Sequence, residues 1–191
     1  ETWFDFDVYK EVIDEGVKKG LKCIRLNYIN EPLIRKDLVK FVEYAREAGI
    51  LDVYMSTNGS LLTEEISKRL VTSGLTRLQI SLDAATEETF NIIRVGGNFD
   101  EVIANVNRFI KIRKEMKSEL PTLRVNFVQT ETNEHEVEDF IEYWKDKADA
   151  IAIQDLVNIV KPTDGVKVAG VKEFKCIQPF NHMAIRYNGD I

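Results

Sequence analysis

The triplet Asn30-Glu31-Pro32 has directional chemistry. Proline restrains the residue before it to extended backbone, so the carbonyl and carboxylate of Glu31 are aimed one way, a geometry suited to an ammonium group. An acid and a proline also commonly decorate a helix N-terminus. Farther along, Ser56-Thr57-Asn58-Gly59 sets short hydrogen-bonding side chains before a glycine that lets the backbone turn sharply, as an ordinary loop also does. Ser81 and Asp83 flank Leu82. In a strand that spacing turns both polar groups to one face, and two such groups in an interior need partners that a ribose diol would supply. Arg94, followed by Val95-Gly96-Gly97, carries a planar fork that fits a carboxylate, or stands as a solvated charge. Arg124 and Asn126 alternate with Val125 and Phe127, and Gln154 and Asp155 close a later apolar run, which again brings polar groups to strand faces and ends.

These groups need elements to position them, and the chain alternates strand and helix. Helices are expected at Asp7–Lys19, through Leu38, Phe41, Val42 and Ala45, from Thr63 to Gly74, from Phe99 to Met116 and from Glu134 to Trp144, with a short one opened by Thr86. Strands are expected at Leu21–Tyr28, Leu51–Met55, Leu78–Leu82, Thr122–Val128 and Ala150–Ile153, each bounded by turn residues. Such a rhythm predicts an α/β fold with parallel strands joined by crossover helices. In that class ligands sit beyond the carboxyl ends of the strands, where the polar residues lie. A complete eight-unit barrel takes roughly 250 residues, and this sequence has 191. The expectation is a partial, six-unit TIM-like β/α barrel whose first strand would precede the opening helix. Residues 1–155 form its core, and 156–191, punctuated by Pro162, Gly165 and Gly170, a linker and the start of a C-terminal extension.

Composition narrows the partners. A formal charge of −6 argues against binding a phosphate backbone, so no nucleic acid is expected. No run approaches the roughly 18 apolar residues that span a bilayer, and the acidic, aromatic start does not read as a signal peptide. A cytoplasmic protein is expected. The only cysteines, Cys23 and Cys176, are far apart, which supports neither a disulfide scaffold nor a zinc ribbon.

From Phe6 to Ile191 the sequence resembles the radical S-adenosylmethionine (SAM) superfamily. Ile29-Asn30-Glu31-Pro32-Leu33 stands where that family carries Gly-Gly-Glu-Pro, Ser56-Thr57-Asn58-Gly59 is similar to its Thr-Asn-Gly strand end, and Ile80-Ser81-Leu82-Asp83-Ala84 with the following Arg94 is similar to its Ser-Leu-Asp-Gly segment. The resemblance implies that Asn30, Glu31 and Pro32 contact the SAM amino group, that Thr57 and Asn58 belong to the same cofactor site, that Ser81, Asp83 and Arg94 serve its ribose or carboxylate, and that Leu156 meets its adenine. Arg124, Asn126 and Gln154 would face a polar substrate, either a peptide or a small molecule. The segment Cys176-Ile177-Gln178-Pro179-Phe180, continuing through Met183 to Asp190, resembles the start of a SPASM extension, in which Cys176 would ligate an auxiliary iron–sulfur cluster.

The family holds a [4Fe-4S] cluster on a Cys-x3-Cys-x2-Cys loop. These 191 residues contain no such spacing, and the loop is expected in a preceding segment together with the first strand. The resemblance implies an intact enzyme that takes an electron from a donor such as flavodoxin or ferredoxin, cleaves SAM to methionine and a 5′-deoxyadenosyl radical, and abstracts a hydrogen atom from its substrate. Two alternatives share the fold: a cluster-less binding domain, and a metal-independent aldolase or epimerase using Glu31 and Asp83 as acid and base.

Overall fold

The computed structural model describes residues 3–27, 30–156 and 181–190. The first helix, α1 (Phe6–Lys18), starts at Asp5, whose carboxylate accepts from the backbone N–H groups of Asp7 and Val8, satisfying donors that a helix start leaves open. The strand β1 (Cys23–Arg25) follows, then a single 3₁₀ turn (Pro32–Ile34) and α2 (Leu38–Glu47). Next come β2 (Asp52–Thr57), α3 (Glu64–Thr72), β3 (Arg77–Ser81), α4 (Glu87–Ile93), α5 (Phe99–Glu115) and β4 (Thr122–Gln129). A 3₁₀ turn at Glu134–Glu136, α6 (Val137–Trp144) and β5 (Ala150–Asp155) complete the described elements. Thr63, Thr86 and Asn98 cap α3, α4 and α5 through their side-chain oxygens, as their residue types dictate.

The five strands form one sheet in the order β1-β2-β3-β4-β5, and every neighbouring pair is parallel. This is the expected α/β class: parallel strands in sequence order, each pair connected through helix. Side-chain alternation splits the sheet into two unlike faces. Val53, Met55, Leu78, Ile80, Leu123, Val125 and Phe127 are buried and join Phe41 and Val42 of α2, Leu70 of α3, Val106 and Phe109 of α5 and Phe140 and Trp144 of α6 in one apolar core. The opposite face presents Arg25, Tyr54, Ser56, Gln79, Ser81 and Arg124, all exposed or half-buried.

β2 and β5 each run two residues past their expected ends, to Thr57 and Asp155, and three further elements differ from the sequence expectation. The strand expected at Leu21–Tyr28 is regular only at Cys23–Arg25. The ladder continues by one backbone bond, from Leu26 N–H to the Tyr54 carbonyl, after which the Asn27 side chain replaces the backbone by accepting from Ser56 N–H at 2.8 Å. The third strand ends at Ser81 rather than Leu82. The N–H groups of both Leu82 and Asp83 aim at the same Asn126 carbonyl, and Asp83 turns to φ 63°. The helix expected from Glu134 to Trp144 divides into a 3₁₀ turn and α6 at Val137.

Candidate SAM site at the strand ends

A cavity of about 530 Å³ opens at the carboxyl ends of the strands, within the size range of small-molecule sites. Every strand contributes: Arg25 and Asn27 from β1 and its exit, Ser56, Thr57 and Asn58 from β2, Gln79 and Ser81 from β3, Arg124, Asn126 and Val128 from β4, and Gln154 from β5. Asn30, Glu31 and Arg94 complete the lining from loops. A second cavity of about 510 Å³ adjoins it and shares Asn58, Ser81 and Arg94.

Glu31 stitches the first two strand ends together. Its carboxylate accepts from the Thr57 hydroxyl at 2.6 Å, from Asn58 N–H at 2.8 Å and from Leu33 N–H at 3.1 Å. Three of roughly four lone-pair positions are thereby used, and about one remains for a ligand donor. The Thr57 oxygen also accepts from Gly59 N–H, and Asn58 Oδ1 accepts from Ser60, so the Thr-Asn-Gly turn is fixed before any ligand arrives. Gly59 is required there: its φ is +79°, and a Cβ would stand 3.2 Å from Val102 on α5, a conformation and an approach that favour glycine.

Arg94 is fixed from the other side. Asp83 pairs with its guanidinium through Oδ2 and accepts from Val128 N–H through Oδ1 at 2.8 Å. The Asp83 carbonyl accepts from the Asn133 side chain. Aspartate adopts left-handed backbone more readily than most residues, and at Asp83 the side chain is held there by bonds from Val128 and Arg94 rather than by its own neighbours. The loop after Asp83 is held by Glu136, which is 3% exposed and accepts from the N–H groups of Ala85 and Thr86 and the hydroxyls of Thr86 and Thr89. Burial pushes the Glu136 carboxyl upward, but these four donors outweigh it and hold the group below its ordinary value.

Two buried polar atoms of the lining have no partner among the described residues, Asn126 Oδ1 and Arg94 Nε. Buried polar atoms are ordinarily paired, and a third such atom, Ser67 Oγ on α3, lies outside the cavity lining. At the amino-terminal end of the same sheet face the charges are already balanced. Arg77 pairs with Asp52, which also accepts from Thr76 and Cys23. Burial works against the ionised Asp52, yet the hydrogen bonds from Arg77, Thr76 and Cys23 keep its carboxyl low, while burial and Asp52 push the Cys23 thiol up.

Of the residues singled out from sequence, Asn30, Glu31, Thr57, Asn58, Ser81, Arg94, Arg124, Asn126 and Gln154 meet around the first cavity. Three do not line it. Pro32 is buried as the first residue of the 3₁₀ turn. Asp83 leaves the strand before it can share the face of Ser81, and supports Arg94 instead of offering its carboxylate to a ribose. Leu156 is 65% exposed and closes the ladder by donating to the Gln129 carbonyl. Cys176, with the auxiliary cluster assigned to it, lies outside the described residues. Sequence reasoning missed Arg25, Asn27, Gln79, Asn133 and Glu136. The first three stand on the polar side of the alternations Arg25/Leu26/Asn27 and Leu78/Gln79/Ile80 and were legible by the same period of two used for Arg124 and Asn126. Glu136 gave no such signal, because its partners lie about fifty residues away, and the Thr130–Asn133 turn gave no sign that Asn133 also donates to the distant Asp83 carbonyl.

Among the described residues no helix is long and apolar enough to cross a membrane. Nor do three or more His, Cys, Asp or Glu residues gather as a metal ligand set among them. The chain is 29% identical over 150 residues to a probable GTP 3′,8-cyclase of Methanocaldococcus jannaschii, covering 78% of this chain and 48% of that protein. It is 34% identical over 128 residues to one of Metallosphaera sedula, covering 67% and 38%. The chain thus spans about half or less of the length of these relatives. In structure it is similar to Streptococcus suis SuiB bound to S-adenosylmethionine, with a TM-score of 0.65 at 16% identity, over 82% of this chain and 35% of that one. It is also similar to anSMEcpe with bound AdoMet and a peptide, with a TM-score of 0.62 at 17% identity, over 81% and 44%. Residues 1–144 match the family model described as Radical SAM superfamily. With that match over most of its length, on a parallel β/α sheet with a polar cavity at the strand ends, the chain belongs to the radical SAM superfamily, whose members use SAM and a [4Fe-4S] cluster.

Proposed function

We infer that this chain is the SAM-positioning core of a radical SAM enzyme that modifies a small-molecule substrate. The observation that carries the reading is the 530 Å³ cavity, lined by polar side chains from all five described strand ends. The lining fits the cofactor. Glu31, with about one free acceptor position, and Asn30 suit an ammonium group, Asn58 and Ser81 suit ribose hydroxyls, and Arg94 suits a carboxylate. The described residues supply no ligand set for the cluster, which in this family provides the electron that turns bound SAM into a source of hydrogen-abstracting radical. What this chain contributes is orientation, through groups held rigid before binding, and a wall of protein between the reacting atoms and water.

The curated relatives, named for GTP, favour a small molecule over a peptide. An aldolase or epimerase is poorly supported. The Glu31 and Asp83 carboxylates are committed to N–H, hydroxyl and guanidinium donors, and no His or Lys stands in the lining. SPASM character and an auxiliary cluster at Cys176 stay part of the proposal on the resemblance alone, as does a flavodoxin- or ferredoxin-like donor.

The test is calorimetric titration of SAM into the chain and into Ser81→Ala and Asn58→Ala variants. Saturable binding that weakens in both variants is expected. Absence of binding to the folded parent chain, or equal binding by all three, overturns the assignment of this cavity.

A further inference from the structure

A relay of hydrogen bonds with a fixed direction crosses the middle of the polar sheet face. The exposed Arg25 donates through Nη2 to the Ser56 hydroxyl at 3.2 Å, and that hydroxyl donates to Gln79 Oε1 at 3.0 Å. A guanidinium has no acceptor and a hydroxyl has one proton, so the relay runs one way: Ser56 accepts from the arginine and gives its proton to Gln79. Gln79 therefore turns its oxygen toward β2 and its Nε2 away. Asn126 Nδ2 stands 3.5 Å from the same Oε1, at the limit of a hydrogen bond, which puts nitrogen rather than oxygen on the Gln79 side. The relay thus finishes in two loose ends on neighbouring side chains, both in the cavity lining. Both hydrogen bonds of the Gln79 side chain end on its oxygen, and Nε2 has no partner among the described residues. Asn126 Oδ1 is buried with no donor. A turn of that amide about its last torsion, which is soft, opens Oδ1 to the cavity and gives up only the 3.5 Å contact.

We propose that Gln79 and Asn126 read the substrate by a planar edge that carries a carbonyl beside an N–H, as a lactam or a primary carboxamide does, Gln79 donating to the carbonyl and Asn126 accepting from the N–H. That the molecule read is the co-substrate of SAM rests on the function proposed above. The amide pair itself is a property of this surface. A secondary peptide bond holds its N–H and carbonyl on opposite sides and does not meet both groups. A ligand lacking either group leaves a polar atom of the wall unpaired, which is how such a site discriminates. Asn126 stands opposite Ser81 in the β3–β4 register and so borders the SAM side as well, while Gln79 is set deeper along the strand.

The test follows the side-chain amide signals of Gln79 and Asn126 by NMR while 2-pyridone, a neutral lactam, is titrated into the chain, with SAM titrated separately and together. N-methyl-2-pyridone keeps the ring and carbonyl but lacks the N–H, and N-methylacetamide stands for a peptide bond. Expected is saturable binding of 2-pyridone that shifts both signals, with Kd on the order of 1 mM for so small a ligand. The two other probes should bind about tenfold more weakly, the loss of one hydrogen bond. Gln79→Leu and Gln79→Glu should each weaken 2-pyridone by a similar factor, with melting temperatures and backbone spectra confirming that the variants are folded. The amide pair is overturned if 2-pyridone does not saturate, if N-methyl-2-pyridone binds as tightly, or if N-methylacetamide binds more tightly, because a peptide bond would then be the ligand. It is overturned equally if the Gln79 variants bind 2-pyridone as the parent does, or lose SAM affinity in parallel, because Gln79 would then serve the cofactor. If SAM fails to bind while the probes behave as expected, the amide pair stands and the SAM assignment falls.

Discussion

Asn126 illustrates how a residue proposed to meet a ligand can carry a cost. It is 9% exposed, its Oδ1 is unpartnered, and its amide nitrogen reaches Gln79 only at 3.5 Å. Leaving such an atom dry costs on the order of 1 kcal/mol or more. Asn126→Leu should therefore leave stability unchanged or raise it by up to about 1 kcal/mol in urea unfolding, while reducing SAM affinity. A destabilised variant with unimpaired binding would contradict this. Asp83 should behave in the opposite sense. Asp83→Asn keeps an acceptor for Val128 N–H but removes the charge beside Arg94, and should cost roughly 1–3 kcal/mol with weaker SAM binding. Its effect on binding belongs to Arg94, so Arg94→Gln should add little to it in a double-mutant cycle.

At the scale of elements, the loop between β3 and α4 is held from a distance by Glu136. Replacing it with alanine strands four donors that are part-buried or buried, and should lower unfolding free energy by roughly 2–4 kcal/mol. Glutamine should recover part of the loss. Because the folded-state carboxyl lies below its ordinary value of 4.5, its contribution is complete above that pH and is lost as pH falls through the folded value. Asp52 and Asp149 are shifted the same way: the first-named effect, burial, raises each, and arginine and other hydrogen bonds overcome it. Stability should thus decline below about pH 4.5, with a shallower decline for Glu136→Gln in pH-dependent denaturation curves.

Much of this level was legible beforehand. Helix ends were marked by Thr63, Thr86 and Gly49, the crossover order by the spacing of apolar runs, and the cavity by the polar residues after each strand. What escaped was anything settled by a third element. The early exit of β3 depends on both Leu82 and Asp83 N–H groups finding the Asn126 carbonyl, and the shortening of β1 on an asparagine side chain that substitutes for backbone. Local periodicity carries no trace of either. Asp83 was assigned to the cavity for this reason: strict alternation holds only while the chain remains in the ladder.

Across the whole molecule, β1 is the weakest member of the sheet. It pairs over three residues with a single described neighbour, whereas β3 and β4 are hydrogen-bonded on both sides. Hydrogen exchange should be fastest for the amides of Ile24 to Leu26 among the strands, and slowest in Leu78, Ile80 and Val125. SAM should slow exchange at the exit of β1, because Asn27 and Glu31 tie that exit to β2 beneath the ligand. Uniform protection across the five strands, or no response at β1, would refute this distribution.

The two-faced sheet also bears on how such a protein can diversify. Residues that meet ligand and residues that hold the helices occupy alternate positions of the same strands, so mutation can rewrite one set while the other stays intact. A lineage inheriting this scaffold is free to exchange Arg25, Gln79 or Arg124 with little danger to folding, and new chemistries can arise by drift over a chassis that hardly registers the change.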